Sequence, residues 1–152
     1  TRKEYKIERQ IIINAPSQKV YDYLKILKNQ DNFNKWVMVD PGMKRDFKGS
    51  DGTVGFVYEW DGNKKAGAGE QEIKNLVEGK QIDTEIRFIR PFPGVAYANT
   101  VLETVQGNQT KITWHSSSAM KYPMNIMVGM IEKMLAKDMD ISLNNLKAIL
   151  EK

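Results

Sequence analysis

Hydrophobic and polar positions change their period twice along the chain. Residues 5–13 form an isoleucine-rich run of the β type, which ends where Pro16 suits the first turn of a helix. Apolar residues then recur at helical spacing, at Val20, Tyr23, Leu24 and Leu27. A polar stretch at 29–32 separates this helix from a second short helix around residues 33–37.

Between residues 43 and 119 the pattern predicts strands. Turn signals interrupt this part of the chain at 49–52, 61–63, 78–80, 91–94 and 107–108. No helical pattern lies between them, which favours an antiparallel meander of about six strands. From about residue 123 to residue 150 the helical period returns, and this last helix would be about 40 Å long. Its apolar positions are Val128, Ile131, Leu135, Met139, Leu143, Leu146 and Leu150.

The order of these elements predicts an α+β fold in a single domain over residues 1–152. A curved antiparallel sheet of about seven strands would wrap around the long C-terminal helix, with two short helices after the first strand. The length of 152 residues, 41% of them hydrophobic, suits one domain with a sizeable core. Because a strongly bent sheet seldom fills its own interior, we also expect a cavity between the sheet and the helix.

Alternation along the strands indicates which residues face this cavity, because successive side chains of a strand point to opposite faces. Phe56, Tyr58 and Trp60 form an aromatic column that we assign to the inner face. In the other strands the same reasoning assigns four more residues to the inner face: Gln71, Ile73, Phe88 and Trp114.

The strand around residues 95–105 has an ambiguous pattern. Tyr97 and Asn99 compete with Ala98 and Thr100 for the inner face. We favour Tyr97 and Asn99, which would add an aromatic ring and a side-chain amide to the cavity wall.

Methionine is the second signal for a cavity, since five of the eight methionines cluster at or near the start of the last helix: Met120, Met124, Met127, Met130 and Met134. An unbranched, polarisable side chain repacks easily, so a methionine stripe facing the aromatic column would suit apolar ligands of varied shape. The alternative interpretation is ordinary core packing.

Few residues offer catalytic or metal-binding chemistry. The chain has 0 Cys and a single His, His115, which has no second histidine beside it and no nucleophile elbow. Glu70 and Glu72 share one strand face, but that face is predicted to be solvated, where salt-bridged surface residues are expected. We therefore predict no catalytic residue, no metal and no cofactor.

Charge gives little indication of a partner. The 23 Lys and Arg residues against 19 Asp and Glu residues give a net charge of +4, without a basic stripe or an aromatic RNA-binding signature. We expect no nucleic-acid binding. Arg90, which precedes Pro91-Phe92-Pro93, lies where it could hold an anionic head group at the cavity mouth or be a plain surface residue.

Membrane contact is expected only through a segment that this sequence does not contain. No apolar run approaches the roughly 20 residues that span a bilayer. The sequence begins at Thr1 rather than Met, which is compatible with an N-terminal anchor upstream. The expected location is cytoplasmic, or membrane-anchored if such a segment exists, and the pattern does not predict an oligomeric state.

Several short motifs, in a fixed order, resemble one known superfamily. They are Trp36 through Asp40-Pro41, Gly52-x-x-Gly55, Tyr58-x-Trp60-x-Gly62-Asn63, Gly67-x-Gly69-x-x-x-Ile73, Phe88-x-x-Pro91-Phe92 and Thr110-x-x-x-Trp114. Together with the helix entry at Ala15-Pro16 and the long terminal helix, they resemble the polyketide cyclase/dehydrase-like branch of the START-like (SRPBCC) superfamily over nearly the whole chain.

The resemblance implies a helix-grip fold around a deep apolar cavity that binds lipids, sterols, polyketides or other hydrophobic molecules. Some relatives catalyse cyclisation or dehydration, and one branch activates a heat-shock-protein ATPase. The chain departs from close relatives at Gln71, where they tend to be apolar. A polar group in the cavity needs a partner, which would be Tyr58, Asn99 or a ligand oxygen.

Three functions follow as hypotheses. The first is binding or carriage of a hydrophobic small molecule, the second is a cyclase or dehydratase reaction, and the third is interaction with a heat-shock-protein ATPase. The predicted ligand-binding residues are Trp36, Phe56, Tyr58, Trp60, Gln71, Ile73, Phe88, Tyr97, Asn99, Trp114, Met127, Ile131 and Met134.

Overall fold

A seven-stranded antiparallel sheet and a long C-terminal helix make up the fold. The computed structural model describes residues 4–119 and 127–152. The strands are β1 (Glu4–Ile13), β2 (Lys44–Lys48), β3 (Val57–Asp61), β4 (Ala68–Val77), β5 (Gln81–Arg90), β6 (Gly94–Gln106) and β7 (Gln109–Ala119). Their order in the sheet is β1-β7-β6-β5-β4-β3-β2, so β1 and β2 are the edge strands.

The helices lie between the two edge strands in sequence and at the end of the chain. They are α1 (Ser17–Leu24), a 3₁₀ helix (Leu27–Asn32), α2 (Lys35–Met38) and α3 (Val128–Leu150). Both the predicted helix-grip fold and the pair of short helices after β1 are confirmed. The predicted start of the last helix near residue 123 lies outside the described residues.

The long helix α3 runs along β1 and is held there by polar contacts as well as by its apolar face. Arg9 donates two hydrogen bonds to Asp140, at 2.8 and 2.7 Å, and Lys147 Nζ donates to the Ile12 carbonyl at 3.0 Å. On the helix itself Met139, Leu143 and Leu146 are buried in the core that α3 shares with the sheet. These contacts close one side of the curved sheet.

The outer face of the sheet carries a cluster of charges around Arg87 of β5. Its guanidinium donates to Glu70 and to Glu72, each at 2.8 Å, and also to Glu85. The hydrogen bond from Arg87, reinforced by Lys74, holds the pKa of Glu72 below its ordinary value. The prediction that Glu70 and Glu72 are salt-bridged residues outside the cavity is therefore confirmed.

Replacing Arg87 with methionine should destabilise the protein by about 1 kcal/mol near neutral pH, because three carboxylates lose their shared cation. A carboxyl whose folded-state pKa is depressed contributes stability above its unfolded pKa and loses it as the pH falls through the folded value. The difference between wild type and Arg87→Met should therefore shrink as the pH falls from about 6 to about 3. Urea denaturation across this range measures it.

A matched control for this variant is Lys48→Met on the same face. Lys48 pairs with Glu59 at 2.9 Å, and its side chain is 67% exposed. An exposed pair of this kind contributes little, so the variant should unfold at nearly the wild-type urea concentration. A stability difference for Arg87→Met that does not change with pH would contradict the assigned role of the cluster.

Candidate functional site

A cavity of about 350 Å³ lies between the inner face of the sheet and the helices. Apolar side chains form most of its wall, together with a small set of amides and hydroxyls. The sheet contributes Tyr5, Tyr58, Trp60, Gln71, Ile82, Thr84, Ile86, Phe88, Ala96, Ala98, Thr100, Ile112, Trp114 and Ser116, and α3 contributes Leu135, Leu143 and Leu146. Such a composition fits a site for a mainly apolar small molecule.

Two tryptophans meet where α2 closes over the cavity. The rings of Trp36 and Trp114 are 5.8 Å apart at an interplanar angle of 74°, an edge-to-face contact that aromatic pairs favour. Trp36 Nε1 donates to Asp138 of α3 at 3.2 Å, and the backbone amide of Lys35 donates to Ser142 at 2.9 Å. Because the indole nitrogen of Trp36 is hydrogen-bonded to α3, the part of the ring that faces the cavity is apolar.

The third tryptophan lies on the wall formed by β3, β4 and β5. Trp60 meets Phe88 edge-to-face, with ring centroids 6.0 Å apart. Its indole nitrogen donates to the Ala66 carbonyl at 3.0 Å, so the polar atom of this ring is also satisfied by the protein. Trp60 and Phe88 therefore form an aromatic wall whose orientation does not depend on a ligand.

A chain of side-chain hydrogen bonds crosses the cavity wall from the helices to the sheet. Asn34 Nδ2 donates to Gln30 Oε1 at 3.1 Å, and Gln30 Nε2 donates to Gln71 Oε1 at 2.9 Å. Gln71 Nε2 then donates to the Thr84 hydroxyl at 2.9 Å. The partners of Gln71 are therefore Gln30 and Thr84, rather than the predicted Tyr58 or Asn99.

The hydroxyl of Tyr58 is occupied by a charged pair at the edge of the cavity. It donates to Asp31 at 2.5 Å and accepts from Arg45 Nε at 3.0 Å, while Arg45 and Asp31 also pair at 3.1 Å. Burial and the hydrogen bond to Asp31 raise the pKa of Tyr58 far above its ordinary value. The ring of Tyr58 lines the cavity, but its oxygen serves to join β2 and β3 to the 3₁₀ helix.

Six of the predicted ligand-binding residues line the cavity: Trp36, Tyr58, Trp60, Gln71, Phe88 and Trp114. Phe56 and Ile73 are buried at 1% and 0% exposure in a neighbouring core cluster with Leu27 and Met43. They have the inward orientation that alternation predicted, but they support the cavity wall from behind it.

The predicted orientation of β6 is wrong. Ala96, Ala98 and Thr100 line the cavity, whereas Tyr97 is 53% exposed and Asn99 donates to Asp83 of β5. Because the side chains of Ala96, Ala98 and Thr100 are small, this part of the inner face leaves open the space that forms the cavity. This correction removes Tyr97 and Asn99 from the inner face.

The methionine stripe also lies elsewhere than the prediction placed it. Met127, Met130 and Met134 are 42%, 64% and 57% exposed, and Met120 and Met124 lie outside the described residues. At about 100° per residue, these three positions lie roughly 140° around the helix from the buried side of α3. Ile131 packs beside Val128 and Met139 rather than on the cavity wall.

Sequence reasoning missed the polar residues of the helical side, above all Gln30 and Asn34. Gln30 belongs to the polar stretch that marked the break between two helices, and Asn34 lies near the start of the second predicted helix. Asn34 does cap α2, by accepting from the Trp36 amide at 3.0 Å. The amide at Gln71, which is polar on an apolar strand face, was the signal that partners had to exist.

The charged residues that line the cavity itself lie at the end formed by the β3–β4 and β5–β6 turns. Arg90 lines this end and donates to Asp61 and, at 2.8 Å, to the Gly62 carbonyl. Lys65 lines it as well. His115 lies apart, 44% exposed and 3.4 Å from Glu8. The described part of the chain contains no group of three or more metal-ligating side chains.

Solved structures show the same architecture at low sequence identity. The Aha1 dimer from Colwellia psychrerythraea is 21% identical, with 96% of each chain covered and a TM-score of 0.65. Truncated norcoclaurine synthase from Thalictrum flavum is 10% identical, with 100% of this chain and 98% of that chain covered and a TM-score of 0.70. Protein CV1439 from Chromobacterium violaceum is 17% identical, with 97% of each chain covered and a TM-score of 0.65. These likenesses show the fold alone.

A curved antiparallel sheet that holds a C-terminal helix across an apolar cavity defines a START-like protein. The chain belongs to the family of polyketide cyclase/dehydrase and lipid transport proteins, whose model matches residues 4–151. The resemblance to the polyketide cyclase/dehydrase-like branch is thereby confirmed. No curated protein sequence matches the chain significantly. Family and fold together support a role in ligand binding or in cyclase-like catalysis.

Among the described helices, none has the length and apolar character that crossing a bilayer would require.

Proposed function

We propose that this protein binds or carries a hydrophobic small molecule in the cavity between its sheet and α3. The observation that carries the proposal is the wall itself, in which Trp36, Trp60 and Trp114 present ring surface to a space of about 350 Å³. Burial of apolar ligand area in such a space contributes about 25 cal/mol per Å². We also propose that residues 1–152 form a single domain, in line with the family match over 4–151.

The state of the ionisable groups favours binding over catalysis. Among the described residues that line the cavity, the ionisable ones are Tyr5, Tyr58, Lys65 and Arg90. Tyr58 and Arg90 are engaged with acidic partners. Burial raises the pKa of Tyr5, against the smaller lowering effect of its hydrogen bond with Ser116, so Tyr5 stays a neutral hydroxyl near pH 7.

Filling the cavity should weaken binding without removing any contact of the wild-type protein. In Ala98→Met the added side chain occupies the ligand space, and we expect at least about ten-fold weaker binding of N-phenyl-naphthylamine, a neutral probe whose fluorescence rises in apolar surroundings. Tyr97→Met is the matched control, because Tyr97 is the exposed neighbour on the opposite face. It should leave the affinity within about two-fold of wild type.

Native mass spectrometry of the purified protein is an independent measurement, and it should show a co-purified apolar molecule. A wild-type protein that neither enhances the probe's fluorescence nor carries any small molecule would refute the binding function. Equal affinities for Ala98→Met and Tyr97→Met would place the bound probe outside this cavity.

A cyclase or dehydratase reaction is the alternative that the family description favours. It requires a cavity group that polarises or protonates a substrate carbonyl, and Tyr5 is the candidate whose hydroxyl lies in the wall. If the protein turns over a polyketide-type substrate, Tyr5→Phe should lose turnover while retaining substrate binding. Turnover unchanged in that variant would exclude Tyr5 from the chemistry.

A further inference from the structure

The hydrogen-bond chain in the cavity wall has a fixed direction. Asn34 Oδ1 accepts from the Trp36 backbone amide, at 3.0 Å, so the other atom of this side-chain amide must be the donor. Gln30 Nε2 also donates to the Leu27 carbonyl at 3.2 Å, which fixes its nitrogen in the same way. Backbone N–H groups only donate and carbonyls only accept, so these two anchors determine which end of each amide donates.

The direction leads to the hydroxyl of Thr84. Gln30 donates to Gln71 Oε1, so Gln71 Nε2 must be the atom that donates to Thr84 Oγ1. The Thr84 oxygen is therefore used as an acceptor, and its own hydrogen needs an acceptor elsewhere. Across residues 4–119 and 127–152, no protein atom accepts the hydroxyl hydrogen of Thr84. The second amide hydrogen of Gln71 has no acceptor among these residues either.

Thr84 is buried within the wall, with 6% of its surface exposed. It lies on the inner face of β5 between Ile82 and Ile86, opposite Ala98 of β6. A buried donor without a partner loses the hydrogen bond that water would give it in the unfolded chain, and this destabilises the folded state. The relay behind it also polarises the hydroxyl, since successive hydrogen bonds in a chain strengthen one another. Thr100, which also lines the cavity, has no such relay in the described chain.

The surroundings of Thr84 select a neutral acceptor. Every member of the relay is uncharged, and the cationic lining residues lie at the far end of the cavity. Arg90 is six residues further along β5, about 20 Å away at the rise of a strand, and Lys65 belongs to the turn beside it. A carboxylate placed against Thr84 would be a buried charge without a counter-ion, whereas a carbonyl oxygen requires only the donors already present.

We propose that Thr84 and Gln71 hold the carbonyl oxygen of a neutral ligand whose apolar body fills the rest of the cavity. This deepens the binding function proposed above and rests on it. The ligand class is a ketone, aldehyde or ester with a large apolar part, since one oxygen with two lone pairs can accept from both donors.

The test measures the affinity of the intact chain for three compounds. N-phenyl-naphthylamine, which has no oxygen, is measured by its own fluorescence. Methyl octyl ketone and decanoate are measured by how well they displace it. Thr84→Val keeps the shape and the β-branched side chain but removes the hydroxyl. Loss of one neutral hydrogen bond should weaken the binding of the ketone about five-fold. The affinities for the other two compounds should stay within about two-fold of wild type. Thr84→Ser restores the hydroxyl and should restore the ketone affinity.

Thr113→Val is the matched control, because Thr113 is buried to the same 6% exposure, next to Ile112 and Trp114 in sequence but outside the cavity lining. It should not change any of the three affinities. Gln71→Met breaks the relay one step earlier and should weaken the ketone selectively as well, which keeps the test available if Thr84→Val folds poorly.

An equal loss for all three probes in Thr84→Val would overturn the proposal, since it would mean that Thr84 only shapes the cavity. Unchanged ketone affinity, or a loss confined to decanoate, would overturn it as well. In each of these cases binding to the wild type persists and the proposed function stands. If the wild type binds none of the probes, the binding function itself is refuted, and this proposal with it.

Discussion

Replacing Trp114 with alanine should weaken the binding of N-phenyl-naphthylamine by more than about ten-fold. The ring of Trp114 lines the cavity and meets the edge of Trp36 at 5.8 Å. Removing it withdraws about 100 Å² of apolar contact from a bound ligand, worth roughly 2.5 kcal/mol. It also leaves Trp36 without its aromatic partner, so the cavity becomes larger and the position of the Trp36 ring less well fixed. Fluorescence titration of the purified variant measures the change.

The same variant should lose about 3 kcal/mol of stability, because Trp114 also packs against two core clusters. Affinities must therefore be measured where urea denaturation shows the variant to be folded. Trp114→Phe is the control, since it keeps an aromatic ring at this position and should bind the probe within about three-fold of wild type. Wild-type affinity in Trp114→Ala would show that the probe does not occupy this cavity.

The architecture was predictable because each element has a strong local signal. The period-two segments from β2 to β7, separated by turn residues, predicted a meander, and a meander gives the observed antiparallel neighbours. The helical period of the last segment predicted the C-terminal end of α3 and the apolar residues of its buried side, among them Val128, Met139 and Leu146. Alternation also placed Tyr58, Trp60, Gln71, Phe88 and Trp114 on the inner face, where the structure has them.

The parts of the site that could not be predicted depend on shape and on contacts distant in sequence. Alternation gives two faces for β6 but does not say which of them lines the cavity, and the prediction favoured the face of Tyr97 and Asn99. In the structure Ala98 lines the cavity and Tyr97 is 53% exposed. The polar relay joins Gln30 to Gln71 across 41 positions of sequence, and no local pattern reports such a contact. Similarly, the methionines of α3 follow a helical spacing without belonging to its buried side.

At Gly69 of β4 the absence of a side chain allows the close approach of the Trp60 ring. Gly69 pairs with Trp60 on β3 and with Phe88 on β5, at a register shift of the sheet. A Cβ atom at this position would lie 2.5 Å from the Arg87 carbonyl oxygen and 2.8 Å from the Trp60 ring. The carbonyl belongs to the backbone and cannot move away cheaply, so the strand and the ring must shift instead.

Gly69→Ala should therefore destabilise the protein by about 2 kcal/mol and weaken the binding of N-phenyl-naphthylamine, because Trp60 is displaced from its contact with Phe88. Gly94→Ala is the matched control, since a Cβ atom there meets nothing within 4 Å, and it should unfold at or slightly above the wild-type urea concentration. If the two variants have the same unfolding midpoint, Gly69 is not required for the close approach of Trp60. Loss of stability together with unchanged probe affinity would show that the cavity tolerates movement of the Trp60 ring, and that the other two tryptophans suffice to bind the probe.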